Sequence, residues 1–256
     1  MKKVIRLGFF AMIIAPLFIS CNSKDKKKDA NATDTTKQTT TTTSTDDKTN
    51  MDDVTVAPNF YKLVADSLGI RMVEVMYKPG DSSALHWHPD YAIYAIEGGT
   101  ATFYAKDGTR TDIVLKAGQA LIHAGEWHSV KNNGKTNIHV MLVEPSRTGA
   151  EATMDASMDA VKVAPNLYKT LADTLGLRIL QVNYKPGQES AMHSHPEQAL
   201  YVTESGTGEF TDKDGSKKVI NLTKGMAVIV PGGTHSVKNI GKTTMRAILV
   251  EVKRGM

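Results

Sequence analysis

A gapless internal repeat limits what this chain can fold into more than any other feature. Val56-Ala57-Pro58-Asn59 returns as Val163-Ala164-Pro165-Asn166, and Tyr77-Lys78-Pro79-Gly80 returns as Tyr184-Lys185-Pro186-Gly187. His128-Ser129-Val130-Lys131-Asn132 returns as His235-Ser236-Val237-Lys238-Asn239. The offset is 107 residues each time and holds from Val54 through Glu144. Roughly half of about 90 paired positions are identical, as expected when one folding unit is used twice. Residues 54–150 and 151–256 are therefore read as two copies of one domain, joined through the polar segment Pro145 to Ala160.

Each copy reads as β. Runs rich in β-branched and aromatic residues, such as Ile70 to Tyr77 and Tyr91 to Ile96, alternate with turn residues. Lys106-Asp107-Gly108 and Lys213-Asp214-Gly215 mark hairpin turns. No long window keeps a helical period, and Tyr61 to Leu68 is read as at most a short helix. Many short strands in a domain of this size predict an all-β sandwich, barrel or jelly roll.

The residues ahead of the repeat are of another kind. Lys2, Lys3 and Arg6 precede the apolar stretch Leu7 to Ile19, which ends at Ser20-Cys21. A basic start, a short apolar core and a small residue predict an export signal over residues 1–20. Phe18-Ile19-Ser20-Cys21 resembles a bacterial lipobox, with Phe18 departing from the usual aliphatic residue. That resemblance implies lipidation of Cys21 and a membrane-anchored lipoprotein in the cell envelope of a Gram-negative-type bacterium. Residues 21–53, with a Lys/Asp run and Thr39 to Thr43, bear almost no apolar side chain. Such a segment cannot offset its chain entropy by burial and is predicted to be a disordered tether.

Composition narrows the function classes. Cys21 is the only cysteine, so intrachain disulfides and Cys-cluster metal sites are excluded. The net charge of +4 falls away with the signal, leaving 28 Lys+Arg against 27 Asp+Glu. A broad basic surface for nucleic acid is therefore not expected. There is no phosphate-binding P-loop and no GxSxG elbow.

Six of the eight histidines occupy matching places: His86, His88 and His128, then His193, His195 and His235. A His-x-His on a strand puts both imidazoles on one face, since side chains alternate. Trp87 and Ser194 then point the other way. Three imidazoles suit a divalent transition metal (Fe, Mn, Zn or Ni) and leave coordination positions open, as reactive centres do. His123 and His139, which become Val230 and Arg246, are read as packing or surface residues.

Each copy resembles the cupins, double-stranded β-helix domains of the jelly-roll type. The first cupin motif appears as Gly80, His86, His88 and Gly98, and again as Gly187, His193, His195 and Gly206, one place late. The second appears as Gly118, His128 and Asn132, with Ala124 in place of proline, and as Gly225, Pro231, Gly233, His235 and Asn239. The resemblance spans residues 54 to 256 and implies a bicupin whose barrels pair within the chain, with homo-oligomers open to it. The family's glutamate ligand falls here at Tyr91 and Gln198, while Asp90 and Glu197 carry carboxylates nearby. Tyr91 and Gln198 are thus the candidates for site-specific chemistry, and both Trp87 and Trp127 are read as packing. Three neutral imidazoles leave the ion's charge uncompensated, which favours an anionic small-molecule ligand such as a carboxylate or enolate.

The reading is a lipid-anchored bicupin with two three-histidine metal sites. The resemblance to three-histidine cupin dioxygenases implies an Fe- or Mn-dependent oxidoreductase acting on a small anionic organic molecule. A non-catalytic ligand-binding cupin, and one active beside one degenerate copy, remain the alternatives. Replacing Cys21 with Ser is expected to move the protein from the membrane to the soluble fraction on cell fractionation; continued sedimentation with membranes would contradict the lipobox reading.

Overall fold

The computed structural model describes residues 50–145 and 155–253. The signal segment, Cys21 and most of the tether lie outside the described residues. Among those described, no helix is long and apolar enough to cross a membrane.

The first copy forms nine strands: β1 (Tyr61–Ser67), β2 (Ile70–Tyr77), β3 (His86–His88), β4 (Tyr91–Glu97), β5 (Gly99–Ala105), β6 (Arg110–Leu115), β7 (Ala120–His123), β8 (Glu126–Asn132) and β9 (Ile138–Pro145). They make two sheets, ordered β1-β2-β9-β4-β7 and β3-β8-β5-β6, with every neighbour antiparallel. The second copy repeats this with β10 (Tyr168–Thr174), β11 (Leu177–Tyr184), β12 (His193–His195), β13 (Gln198–Glu204), β14 (Gly206–Asp212), β15 (Lys217–Leu222), β16 (Ala227–Val230), β17 (Gly233–Asn239) and β18 (Met245–Val252). Its sheets run β10-β11-β18-β13-β16 and β12-β17-β14-β15. The chain is all-β in two tandem jelly-roll barrels, as its strand spacing predicts.

Tyr61 to Leu68 corrects the helix expectation. It is β1, hairpinned to β2 through Leu68 and Gly69, which both take positive φ (52° and 66°). That two-residue turn matches the twist of the flanking strands, and Leu175-Gly176 repeats it. A bulge between Leu63 and Ala65 breaks the alternation that reveals a strand in sequence. The first barrel also begins earlier than Val54. Trp87 N–H donates to Met51 O at 2.7 Å, and the side chain of Asp53 is wholly buried.

Burial explains the long apolar runs. One face of each five-stranded sheet lines its own barrel, where Val73, Val75, Tyr77, Val140 and Leu142 pack together. The other face packs against the opposite barrel. Ile70, Met72, Ala92 and Met141 join Leu177, Ile179, Ala199 and Ile248 in one shared core. β9 and β18 are apolar nearly throughout because both faces are covered. β7 lies against β10 and β16 against β1, a reciprocal relation expected of a two-fold contact between like units.

A buried asparagine closes each barrel. Asn132 Nδ2 donates to the carbonyls of Tyr77 and Thr136, and its Oδ1 accepts from Gly134 N–H. Asn239 does the same with Tyr184, Thr243 and Gly241. Asn132→Ala leaves these polar groups without partners and is expected to lower stability by about 2–4 kcal/mol. Chemical denaturation checks this; a midpoint matching the wild type would show that water takes over all three bonds.

Candidate metal centres

Register builds both histidine clusters. β3 pairs with β8 so that His86 faces His128, Trp87 faces Trp127 and His88 faces Glu126. Alternation turns the histidines and Glu126 inward and leaves the tryptophans paired on the other side, 5.5 Å between ring centroids. In the second barrel His193 faces His235, and Ser194 bonds Thr234 at 2.7 Å on the outer side. His86, His88 and His128 come together with ring centroids 4.8–4.9 Å apart. The corresponding spread for His193, His195 and His235 is 4.9–5.4 Å.

Five of the six rings are oriented through Nδ1. His86 donates to Ala84 O at 2.8 Å, His88 to Glu144 Oε1 at 2.7 Å, and His128 to Glu126 Oε1 at 3.1 Å. His193 and His195 repeat the first two bonds with Ala191 O and Glu251 Oε1. These bonds fix the tautomer and leave the Nε2 lone pair directed inward, as in carboxylate–histidine–metal arrangements. Burial pushes the pKa values of His86, His88 and His235 down to about 3, with neighbouring imidazoles adding to it, and that of His193 down to about 4. Each triad offers one nitrogen per ring within 4.8 Å of the others. Slight ring rotation brings such a set onto bonds of ~2.0–2.1 Å. The three-imidazole donor sets fit a divalent ion in both barrels.

Behind each triad lies a carboxylate layer that the histidine pattern did not reveal. Arg71 pairs with Asp52, with Asp53 at 3.2 Å and with Glu144 at 3.5 Å. Arg178 pairs with Asp159 and Glu251. The extra member of the first set, Asp53, has buried Ala160 as its counterpart. Burial and the charge of Glu144 push Asp53 up to about 8, and burial pushes Glu144 up to about 7. Asp53 Oδ2 and Glu144 Oε2 lack hydrogen-bond partners. Hydrogen bonds from His128 and Tyr91 hold Glu126 down at about 2, whereas Gly233 replaces it in the second barrel. The first triad thus has two neighbouring carboxylates, Glu126 and Asp53, that the second lacks, so the two sites would compensate an ion's charge to different extents.

Tyr91 lies beside the first triad, its ring 5.0 Å from His88, but its hydroxyl donates to Glu126 Oε1 at 2.7 Å. Gln198, at the matching position, is buried and its Oε1 has no partner, so an amide oxygen is unclaimed there. Asp90 is committed to Gly125 N–H at 2.7 Å. His123 is exposed and stacks on Tyr91 at 5.3 Å, and His139 bonds Glu74, in keeping with packing or surface roles. Two further residues escaped the sequence reading as site residues. Tyr61 and Tyr168 place their hydroxyls 3.0 and 2.9 Å from Nε2 of His86 and His193. Their recurrence at the 107-residue offset was the available signal, hidden by the helix reading of their segment. In the first barrel the triad borders a cavity of about 510 Å³ with mostly apolar walls, including Val75, Ile93, Phe103, Leu121 and Leu142.

The Cupin domain family model matches residues 73–144 and 180–251. The structure is similar to a variant of Bacillus subtilis oxalate decarboxylase, with 17% identity, 76% of this chain and 72% of that chain covered, and a TM-score of 0.53. A second structure of that enzyme, concerned with its Mn(II) centres, has 14% identity, 73% and 70% coverage and a TM-score of 0.50. A cupin 2 conserved barrel domain protein from Leptotrichia buccalis has 13% identity, 75% and 88% coverage and a TM-score of 0.46. No curated protein matches the chain by sequence. Identities this low show a shared fold.

Protons and metal compete for the same Nε2 lone pairs. With His86 at about 3 and His193 at about 4, competition at these two rings is displaced below the ordinary 6.5. In the metal-free protein His86 and His193 are expected to stay unprotonated as pH falls through 6.5 and to take up a proton only on approach to 4. NMR titration of these two imidazoles checks this; a midpoint at 6.5 would mean that they titrate as exposed histidines.

Proposed function

The chain belongs to the cupin domain family, and from that premise we propose that it is a lipid-anchored, metal-dependent oxidoreductase of dioxygenase type acting on a small organic substrate in the bacterial cell envelope. The observation that carries this reading is the pair of three-histidine groups, each offering one nitrogen per ring within 4.8 Å of the others; Asp53 and Glu144 meet His88 as a further group behind the first. His86, His88 and His128, and His193, His195 and His235, would hold Fe(II) or Mn(II). The Mn(II) centres named for the oxalate decarboxylase structure support Mn(II) as one of the two. The bound ion supplies a Lewis-acidic centre with positions left for substrate and O₂.

The protein's own groups support a division of labour. In the first barrel the apolar cavity takes the body of the substrate and excludes water around the triad. Glu126, ionised and held by Tyr91 and His128, fixes the polar rim of that cavity. A site with these additional carboxylates favours a substrate that arrives neutral, such as an enol or phenol, over a preformed anion. The second site, lacking Glu126 and Asp53, favours a ligand that arrives as an anion, with Gln198 offering its free amide oxygen. A largely apolar space of about 510 Å³ exceeds what a two-carbon dianion such as oxalate needs, which supports a larger substrate. The basic start, short apolar core and Cys21 support export and anchoring.

Elemental analysis of the full chain, purified in detergent without chelators, is expected to find metal in both barrels. His86→Ala and His193→Ala should each remove their own share. Less than about 0.2 metal per chain would overturn the metal reading. Oxygen uptake with β-diketones, thiols or phenolic acids is the expected activity, and silence across that set with metal bound would favour a binding protein.

A further inference from the structure

We propose that Tyr61 and Tyr168 supply the fourth protein donor at the two triads, in the role the family resemblance assigned to Tyr91 and Gln198. This rests on the metal-binding reading of both barrels. The hydroxyl of Tyr61 lies 3.0 Å from Nε2 of His86, and that of Tyr168 lies 2.9 Å from Nε2 of His193. These are the nitrogens left for an ion, because Nδ1 of each ring is bonded to a backbone carbonyl. Two donors each ~2.1 Å from an ion and at right angles to it are about 3.0 Å apart. The phenol oxygen thus stands at the separation of neighbouring ligands. Its ring also packs on the second histidine of each triad, at 5.6 Å for His88 and 5.3 Å for His195.

The surroundings keep the oxygen in place. Tyr77 donates its hydroxyl to Tyr61 at 3.1 Å, and Tyr184 donates to Tyr168 at 2.9 Å. Each phenol oxygen therefore accepts one bond from behind and directs its own proton at Nε2. With Nε2 of His86 or His193 given to an ion, the phenol would lose its acceptor there; its oxygen would be left to hold the ion as a fourth donor, the hydrogen bond to Nε2 giving way to that contact and the phenol proton passing to solvent, with no change in oxidation state. Tyr91 is committed to Glu126, and Gln198 has an equivalent in neither residue type nor bonding in the first barrel. The tyrosine pair, by contrast, offers the same donor to both triads.

The test loads the full-length protein with Fe(III) and records its visible absorption and resonance Raman spectrum. A phenolate-to-iron charge-transfer band with tyrosinate modes is expected in the wild type. It should fall by half in Tyr61→Phe and vanish in Tyr61→Phe/Tyr168→Phe, with Mn(II) affinity about tenfold or more weaker at each altered site. Wild-type protein that binds iron without tyrosinate modes overturns the proposal, and does so without relying on the folding of any variant. A double variant with undiminished Mn(II) affinity also overturns it and leaves the histidine centres standing. Wild-type protein that binds no metal overturns both readings.

Discussion

The hydrogen bond from His88 Nδ1 to Glu144, repeated by His195 and Glu251, is the constraint on which the rest of each barrel depends. It crosses from one sheet to the other: His88 is on β3 and Glu144 on β9. It fixes the imidazole tautomer, so the lone pair facing inward is Nε2. It also demands a cation behind the carboxylate, because an unpaired buried charge costs several kcal/mol. Arg71 and Arg178 meet that demand, and Asp52 and Asp159 in turn tie each arginine to the segment where the chain enters its barrel. Fold closure and metal-ligand orientation are thus one network.

Duplication kept this network and altered what surrounds it. Both copies retain the histidines, the carboxylate–arginine layer, and the tyrosine pair. They differ at Glu126 and Gly233, Tyr91 and Gln198, His123 and Val230, and Asp53 and Ala160. All four changes lie on the inner side of the triads or directly behind them, so they alter charge and cavity while leaving the strands intact. Packing the two five-stranded sheets against each other gives both barrels one shared core, so the copies are constrained to stay folded together even as their interiors diverge.

Much of this was legible beforehand. The repeat, the β-rich runs and the His-x-His alternation lead to paired barrels with three imidazoles on one face, because strand periodicity is a local property. β1 was not legible, because its bulge disrupts the period by which strands are recognised. With it went Tyr61 and Tyr168, whose chemistry depends on a partner 25 residues away. Glu144 and Glu251 stood at the ends of apolar strands, but only the neighbouring sheet shows that their carboxylates face histidines.

The sequence by itself determined the all-β class, the duplication and the identity of the six histidines, since these follow from residue order and alternation. Tertiary structure alone decided the charge balance of the two centres, the orientation of each imidazole and the approach of a tyrosine to each triad. Those properties arise from groups brought together across sheets after long stretches of intervening chain. Electrostatics in a buried space depends on that three-dimensional neighbourhood rather than on spacing along the chain.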